Sequence, residues 1–499
     1  MERERRYVLS IDQGTTNTKV VLVGPAGDVA AIGSAPVGVS SPRPGWVEQD
    51  AERIWQSVLD AVGHALDAVD REGHAAGAVE IVGVALSTQR ESVVAWRAST
   101  GEPLGPVLGW QDSRTAAWCA AHVDEPGRDE VRTRTGLRVD AMFSAPKLRW
   151  LLDHVPAGVP ASDVRLGTVD AWLVWRLTGG QEHLTEAGNA SRTLLYDVAA
   201  LDWSDRLLDV FGVGRSALPQ VRASDAGYGT CSGLGLVADG TPVVAVLADS
   251  HAALFGHGCT EPGMAKATYG TGSSVMTPVP ALPGATSPVP TTLAWLLGGT
   301  PTYALEGNIL SSGSTLAWAG DLLAGGDVGR LGTLAGTVAD AGGVSVVPAF
   351  SGLGAPHWDR GATALVSGMT TGTTAGHVAR AAFESVAHQV ADVVDVIEAT
   401  AGPLRTFRAD GGATASALLM QDQADLTGCT VEVSDVAEVS ALGAAKLAWR
   451  ALDAGDAWRP PSTRRRFEPA LAADLRATRR ARWAGEVERS RFVPGGGRP

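Results

Sequence analysis

The hydrophobic and polar positions of this chain alternate between short β-branched runs and longer helical stripes. Apolar runs at Tyr7–Ile11, Val20–Val23, Val79–Leu86, Thr241–Leu247 and Val344–Val347 are too short for helices and rich in valine and isoleucine, so they predict buried strands. Between Asp50 and Asp70 the period changes. Ile54, Val58, Ala61, Val62 and Leu66 recur on one helical face, with Asp50 as N-cap and Glu52 in the first turn. Further helices are predicted over His377–Val394 and Ala441–Leu452. Strands alternate with helices in both halves, so the pattern predicts an α/β architecture.

Two of the strand pairs enclose polar glycine turns. Asp12-Gln-Gly-Thr-Thr-Asn-Thr-Lys19 separates the first two apolar runs, and Tyr269-Gly-Thr-Gly-Ser-Ser274 lies in mid-chain between Met264–Thr268 and Val275-Met276. Glycine backbone N–H groups and clustered hydroxyls suit phosphate oxygens. Only the first turn carries a carboxylate at its strand end. Two such turns predict a nucleotide held between two related domains.

Composition narrows the function. A chain of 499 residues with 45% hydrophobic content is long enough for two or three cores. A net charge of −13 argues against a general nucleic-acid or anionic-membrane binder. The opening Met1–Arg6 is mixed in charge and has no apolar secretory region, and no apolar run reaches spanning length. Cys119, Cys231, Cys259 and Cys429 are scattered without metal-ligand spacing, which fits reduced thiols in a cytoplasmic protein. From about residue 455 the texture turns basic. Arg459–Arg466 reads as a solvated, turn-rich surface, followed by a charged helix and a frayed tail at Val493–Pro499.

Each candidate residue has a functional and a plainer reading. Asp12 is either a turn-former or a Mg²⁺ carboxylate acting through water, with Thr15, Thr16 and Asn17 on phosphate oxygens and Lys19 as an added cation. Asp249, after the strand ending at Leu247, is either a helix N-cap or a general base taking a proton from an attacking hydroxyl. Asp410-Gly-Gly-Ala413 after Phe407–Ala409 is a place where backbone can approach a flat adenine or its ribose. Trp110 stands apart from the other tryptophans in a polar loop, and His251, His257, His357 and His388 read as structural. Neither a Walker-type phosphate loop nor a dinucleotide glycine fingerprint is present.

The chain resembles the FGGY carbohydrate kinases, and among them those acting on glycerol, from about Tyr7 to about Arg450. The resemblance is carried by Ser10–Lys19, Pro44–Asp50, Thr88-Gln-Arg-Glu91, Gly109–Thr115, Phe143–Lys147 with Trp150, Gly167–Trp172 and Asn189–Thr193. It continues through Pro262–Lys266, Tyr303-Ala-Leu-Glu-Gly307 and Pro348–Asp359, and both family patterns are complete, at Met142–His154 and Ala364–Glu384. It implies a two-domain actin-like, ribonuclease-H-type fold with the active site in the interdomain cleft. The implied domains are 7–255 for substrate, phosphate and Mg²⁺, 256–452 for ATP, and a basic extension over 453–499.

The resemblance also implies roles. Asp249 falls on the catalytic base and Asp12 on the Mg²⁺-linked aspartate. Thr15, Thr16, Asn17 and Lys19 fall in the phosphate turn, and Thr271, Gly313, Gly412 and Ser416 on positions near the nucleotide. Arg90 and Glu91 fall on the pair that binds substrate hydroxyls, Trp110 on an aromatic wall, and Met142 and Ser250 on further substrate positions. The implied cofactors are ATP and Mg²⁺, and the implied assembly is a homo-oligomer, dimer or tetramer.

Departures from the glycerol-type pattern gather at the substrate. Met142 replaces a tyrosine, Ser250 a glutamine and Ser274 a phenylalanine. Lys19 replaces an arginine in the phosphate turn, and Ala317 and Ser416 replace a glutamine and an asparagine near the nucleotide. Shorter or less polar side chains predict a wider pocket and an acceptor as large as or larger than glycerol. A ketose kinase for xylulose or ribulose is the alternative. Phe143–Lys147 and Gly411–Ser416 lean towards it, whereas Arg90-Glu91 leans away, since xylulose kinases carry Met-His there. A non-catalytic sugar sensor would need neither Asp12 nor Asp249.

Overall fold

The computed structural model of the chain describes residues 5–71, 79–283, 287–452, 458 and 462–492. Its frame is one strand order used twice. In the first half β1 (Arg5–Gln13), β2 (Asn17–Val23) and β3 (Val29–Pro36) run as an antiparallel meander. The chain then crosses through α1 (Ala51–Arg71), and β4 (Val79–Thr88) returns parallel to β1. β5 (Val243–Ala248) adds in parallel to β4, giving the order β5-β4-β1-β2-β3, and α2 (Asp249–Gly256) leaves directly from its end.

The second half holds β6 (Met264–Tyr269), β7 (Ser273–Val279), β8 (Thr291–Leu297), β9 (Thr300–Ile309), α3 (Gly313–Ala324), α4 (Ala375–Ala401) and β10 (Thr406–Asp410). There follow α5 (Ala417–Thr427), β11 (Val431–Ser434), α6 (Val439–Ala451), β12 (Thr463–Phe467) and α7 (Ala473–Arg491). Its sheet runs β8-β9-β7-β6-β10-β11-β12. Without the edge strands β8 and β12, the order β9-β7-β6-β10-β11 repeats that of the first sheet, with the same antiparallel and parallel partners. This duplicated mixed sheet is the actin-like, ribonuclease-H-type architecture that the resemblance implied.

The predicted elements are present, with informative differences. α1 is capped as expected, since Asp50 Oδ1 accepts from the amides of Glu52 at 2.8 Å and Arg53 at 3.2 Å. α4 is longer than predicted at both ends. It starts earlier because Thr374 and His377 form a reciprocal cap, and it runs on to Gly402, burying Ile397 beyond the expected end. The helix expected to start at Ala441 is α6, and it packs on the first sheet rather than the second. Ser10 Oγ donates to the carbonyl of Ala441 at 2.6 Å and the Trp449 indole to that of Val23 at 3.0 Å. A Cβ at Gly443 would meet the backbone of Ala252, so glycine there lets α6 and α2 touch.

The basic stretch read as solvated surface contains a strand. Its Thr463–Arg466 portion, with Phe467, forms β12, antiparallel to β11, and Arg465 donates to the carbonyls of Thr414 and Ala415. A charged edge strand blunts further pairing of the sheet. The predicted charged helix is α7, anchored by buried Trp483 and Val487. Residues 459–461 and the tail 493–499 lie outside the described residues.

Residues 89–242 are inserted between β4 and β5. They contribute most of a four-stranded sheet built from Glu48–Gln49, Val107–Leu108, Val93–Arg97 and Val164–Thr168, and the helix Ser144–Asp153. This insertion stands beside the strand ends of the first sheet and brings Trp110 to the turn after β1.

Candidate active site

The first glycine turn closes at the end of β1. The Gly14 amide is used inside the turn, donating to the Asn17 carbonyl at 3.1 Å, so it is not the free donor the sequence suggested. Thr16 and Asn17 are exposed, and Thr15 Oγ1 accepts from the Trp110 indole at 2.9 Å. Asp12 accepts from Ser87 Oγ at 2.7 Å, at the end of β4. Burial lifts its carboxyl to about 6 against the opposing bond from Ser87, while the charge of Asp249 adds to the rise and that of Lys19 reduces it. Lys19, opposite Asp12 in the strand register, is not an unengaged cation, because its ammonium lies 3.2 Å from Glu438.

Beyond β4 the chain places Arg90 and Glu91 in a buried network of charges. The Arg90 guanidinium meets both oxygens of Glu306 at 2.7 Å, and its Nε lies 3.3 Å from Asp249 Oδ1. Arg192 Nε lies 2.6 Å from Glu91 and its Nη1 3.0 Å from Glu306. Glu306 is fully buried on β9. Burial alone would raise its pKa, but Arg192 and Arg90 hold it well below the usual carboxylate range. The surrounding acids in turn raise Arg90: burial works against its charge, and Glu306, Glu91 and Asp249 outweigh that effect. Glu91 adopts a left-handed backbone, φ 61°, which turns the chain into the cluster.

Asp249 occupies the first helical position of α2, and Ala248 is the cap residue, so the helix-cap reading of Asp249 does not describe its place. Its side chain is 37% exposed. The surrounding protein raises its pKa mainly by burial, which Arg90 partly offsets. A carboxylate steadied by an arginine, open on one side and raised in pKa, has the character of a general base. Ser250 follows it, half-buried, and Ser274 Oγ donates to Glu306 at 3.1 Å. Met142 is half-buried on the insertion, with its amide donating to Asp140 at 2.8 Å.

The second glycine turn is organised differently. The Gly270 amide donates to Gly272 at 2.9 Å, while the carbonyls of Gly270 and Thr271 accept from the amides of Gly313 at 2.9 Å and Ser312 at 3.0 Å. The turn therefore caps the start of α3, and a Cβ on Gly313 would sit 2.5 Å from the Gly270 oxygen. Thr271 and Gly412 are exposed. Ser416 is the N-cap of α5 and accepts from the Leu419 amide at 3.2 Å. Gly411, at φ 94°, lies against the Tyr269 backbone, so β10 and the turn are in contact. Asp410 ends β10, and His257 Nε2 lies 2.6 Å from it. His257, His357 beside Asp392, and His388 stacked on Trp483 all have structural partners, as expected.

Sequence reasoning gave no role to Glu306 and Arg192, the residues that join the cluster across the two lobes. The available signal was a lone acid inside an apolar run, Tyr303-Ala-Leu-Glu306, because a buried charge requires a partner. Among the described residues, no three His, Cys, Asp or Glu side chains converge on a metal position. A single half-buried carboxylate with a raised pKa does fit Mg²⁺ held chiefly by water and phosphate oxygens.

Family models match nearly the whole chain. Residues 7–256 match the N-terminal domain of the FGGY family of carbohydrate kinases, and residues 265–452 match its C-terminal domain. The chain belongs to the FGGY family of carbohydrate kinases. It is 41% identical to a glycerol kinase of Dechloromonas aromatica, covering 98% of each chain. It is 43% identical to one of Aromatoleum aromaticum, covering 97% of this chain and 99% of the other. Among solved structures it superposes on Plasmodium falciparum glycerol kinase with ADP at a TM-score of 0.89 and 28% identity, covering 98% of this chain and 99% of that one.

Proposed function

We propose that this protein transfers the γ-phosphoryl group of ATP to a terminal hydroxyl of a small polyol, as a glycerol kinase does. The observation that carries the reading is Arg90, bound between Asp249 of the first lobe and Glu306 of the second beside two phosphate-type turns. The glycerol kinases to which the chain is similar over nearly its full length support the substrate class.

In this reading Arg90 and Glu91 orient the acceptor hydroxyls, with Trp110, Met142 and Ser250 as pocket walls. Asp249 takes the proton as the hydroxyl oxygen attacks phosphorus. Thr15, Thr16, Asn17 and Thr271 meet phosphate oxygens, while Gly313, Gly412 and Ser416 shape the nucleotide side. Asp12 holds Mg²⁺, which when bound neutralises charge on the phosphates. Positioning and exclusion of water between the lobes supply most of the acceleration. We assign acceptor, phosphate and Mg²⁺ binding to 7–255 and nucleotide binding to 256–452.

An ADP-release assay with MgATP over glycerol, erythritol, pentitols and pentuloses tests this reading. Turnover of a polyol supports it. Turnover confined to pentuloses makes the protein a ketose kinase, and binding without turnover makes it a sensor. Met142, Ser250 and Ser274 predict that polyols longer than glycerol are accepted, and strict preference for glycerol would end that idea. Four unpaired cysteines support a cytoplasmic setting, and no described helix is long and apolar enough to cross a membrane. Exposed Leu322, Phe350 and Met369 support a homo-oligomer, dimer or tetramer, which light scattering on the purified protein measures.

A further inference from the structure

Lys147, on the inserted helix Ser144–Asp153, is completely buried. A buried ammonium ordinarily sits against a carboxylate, because taking an unpaired charge out of water is costly. Lys147 instead donates to two main-chain carbonyls, of Met142 at 2.6 Å and of Gly109 at 3.2 Å. Glu91, Asp112 and Asp140 face it and favour its charged form, but burial outweighs them and brings the ammonium down to about 8. Each of those carboxylates is engaged elsewhere: Glu91 with Arg192, Asp112 with Arg114, and Asp140 with the Met142 amide and Arg360.

The two carbonyls belong to the two segments that carry the proposed pocket walls, Trp110 and Met142. Gly109 precedes Trp110, whose amide donates to Ser92 at 3.0 Å and whose indole donates to Thr15 of the phosphate turn at 2.9 Å. Met142 is held from its other side by Asp140, which lies 3.4 Å from Arg360 of the second lobe. An apolar side chain of the same length could fill the space, but only a multi-donor head can hold two carbonyls from segments 33 positions apart in sequence.

We infer that Lys147 is a positioning residue for the acceptor: its single ammonium ties the Trp110 wall to the Met142 wall and so sets the width of the substrate pocket. This rests on the proposed reading of Trp110 and Met142 as pocket walls.

Steady-state kinetics of the full chain with MgATP, on acceptors of three to five carbons, test it in wild type, Lys147→Met and Lys147→Arg. Lys147→Met is expected to raise the KM for the polyol roughly 10- to 100-fold while the KM for ATP stays nearly constant. It should also flatten the ratio of kcat/KM between short and long acceptors, because a loosened pocket discriminates less. Lys147→Arg keeps charge and donors, but its larger planar head does not fit the same depth. It should move the polyol KM and the acceptor ratio the same way by a smaller factor.

An unmoved polyol KM and acceptor ratio in either folded variant overturns the proposal. So does a fall in kcat with both KM values unchanged, which is what mere loss of folded protein gives. If Lys147→Met yields no folded protein, Lys147→Arg decides alone. Absence of polyol turnover in wild type is a different result, and it overturns the functional reading together with the role built on it.

Discussion

The two sheets share one strand order, yet they treat the carboxylates at their strand ends in opposite ways. In the first lobe, Asp12 ends β1 with a serine hydroxyl as its hydrogen-bond partner, and burial leaves its carboxyl raised to about 6. In the second lobe, Asp410 ends β10. Burial would raise it too, but the bond from His257, 2.6 Å away, and the nearby charge of Lys266 bring it below its usual value. An acid neutralised from within the protein is part of the scaffold. An acid left short of positive charge at the mouth of a cleft is suited to an incoming cation. The turns differ in the same sense: the second spends its carbonyls on the start of α3, while the first leaves Thr16 and Asn17 exposed.

The largest expected effect bears on the one carboxylate that serves chemistry in this scheme. Asp249→Asn should lower kcat roughly 10²- to 10⁴-fold while nucleotide binding, measured by calorimetry, persists. Near-normal turnover would remove Asp249 from the reaction. Next is the residue that joins the lobes. Glu306→Gln leaves Arg90 with only Asp249 and Arg192 with only Glu91, and removing the charge they share at the buried centre should cost up to about 3–5 kcal/mol, to be read from urea unfolding. A loss well under that would mean Asp249 and Glu91 are sufficient partners for the two arginines.

The contrast between Asp12 and Asp410 is itself testable. Asp410→Asn should cost about 1–3 kcal/mol of stability, because it leaves His257 and Lys266 without their acid. Asp12→Asn should leave the ligand-free protein as stable as wild type or more so above pH 6, while abolishing most Mg²⁺-dependent turnover. Equal thermal shifts in the two variants would dissolve the distinction.

The smallest effect is on pH. Asp12 has a folded value of about 6, above its ordinary 3.8, so its contribution to stability is present below the lower value and is lost as pH rises through the higher one. Mg²⁺ needs the ionised form. Its apparent affinity should therefore fall by roughly tenfold per pH unit once the pH drops below that of Asp12. Mg²⁺ titrations of activity between pH 5 and 8 measure this, and a flat response would place the cation elsewhere.

Local pattern made much of this protein legible. The strands β1, β2, β4 and β5 follow from short β-branched runs, and α1 follows from its stripe and its Asp50 cap. The glycine turns stand out because polar hydroxyls interrupt apolar runs. Arg90 and Glu91 were readable only by resemblance, since nothing in their neighbourhood marks a pair of charges for burial. β12 was missed because its arginines suit solvent, and what makes it a strand is the free edge of β11. Lys147 was likewise part of a pattern without a purpose until Gly109 and Met142 were seen on either side of it.

The sequence by itself determined the alternation of strands and helices, the two polar glycine turns and the acids at the strand ends, because these depend on periodicity and on residues adjacent in the chain. Only the tertiary structure decided which charges meet. Arg90 and Glu306 are separated by 216 positions, and Lys19 and Glu438 by 419. Such pairings are set when two sheets of the same order close on one another, and α6 from the end of the second half packs against the first sheet. Charges buried by that closure must find partners across it, and no local rule of sequence carries that requirement.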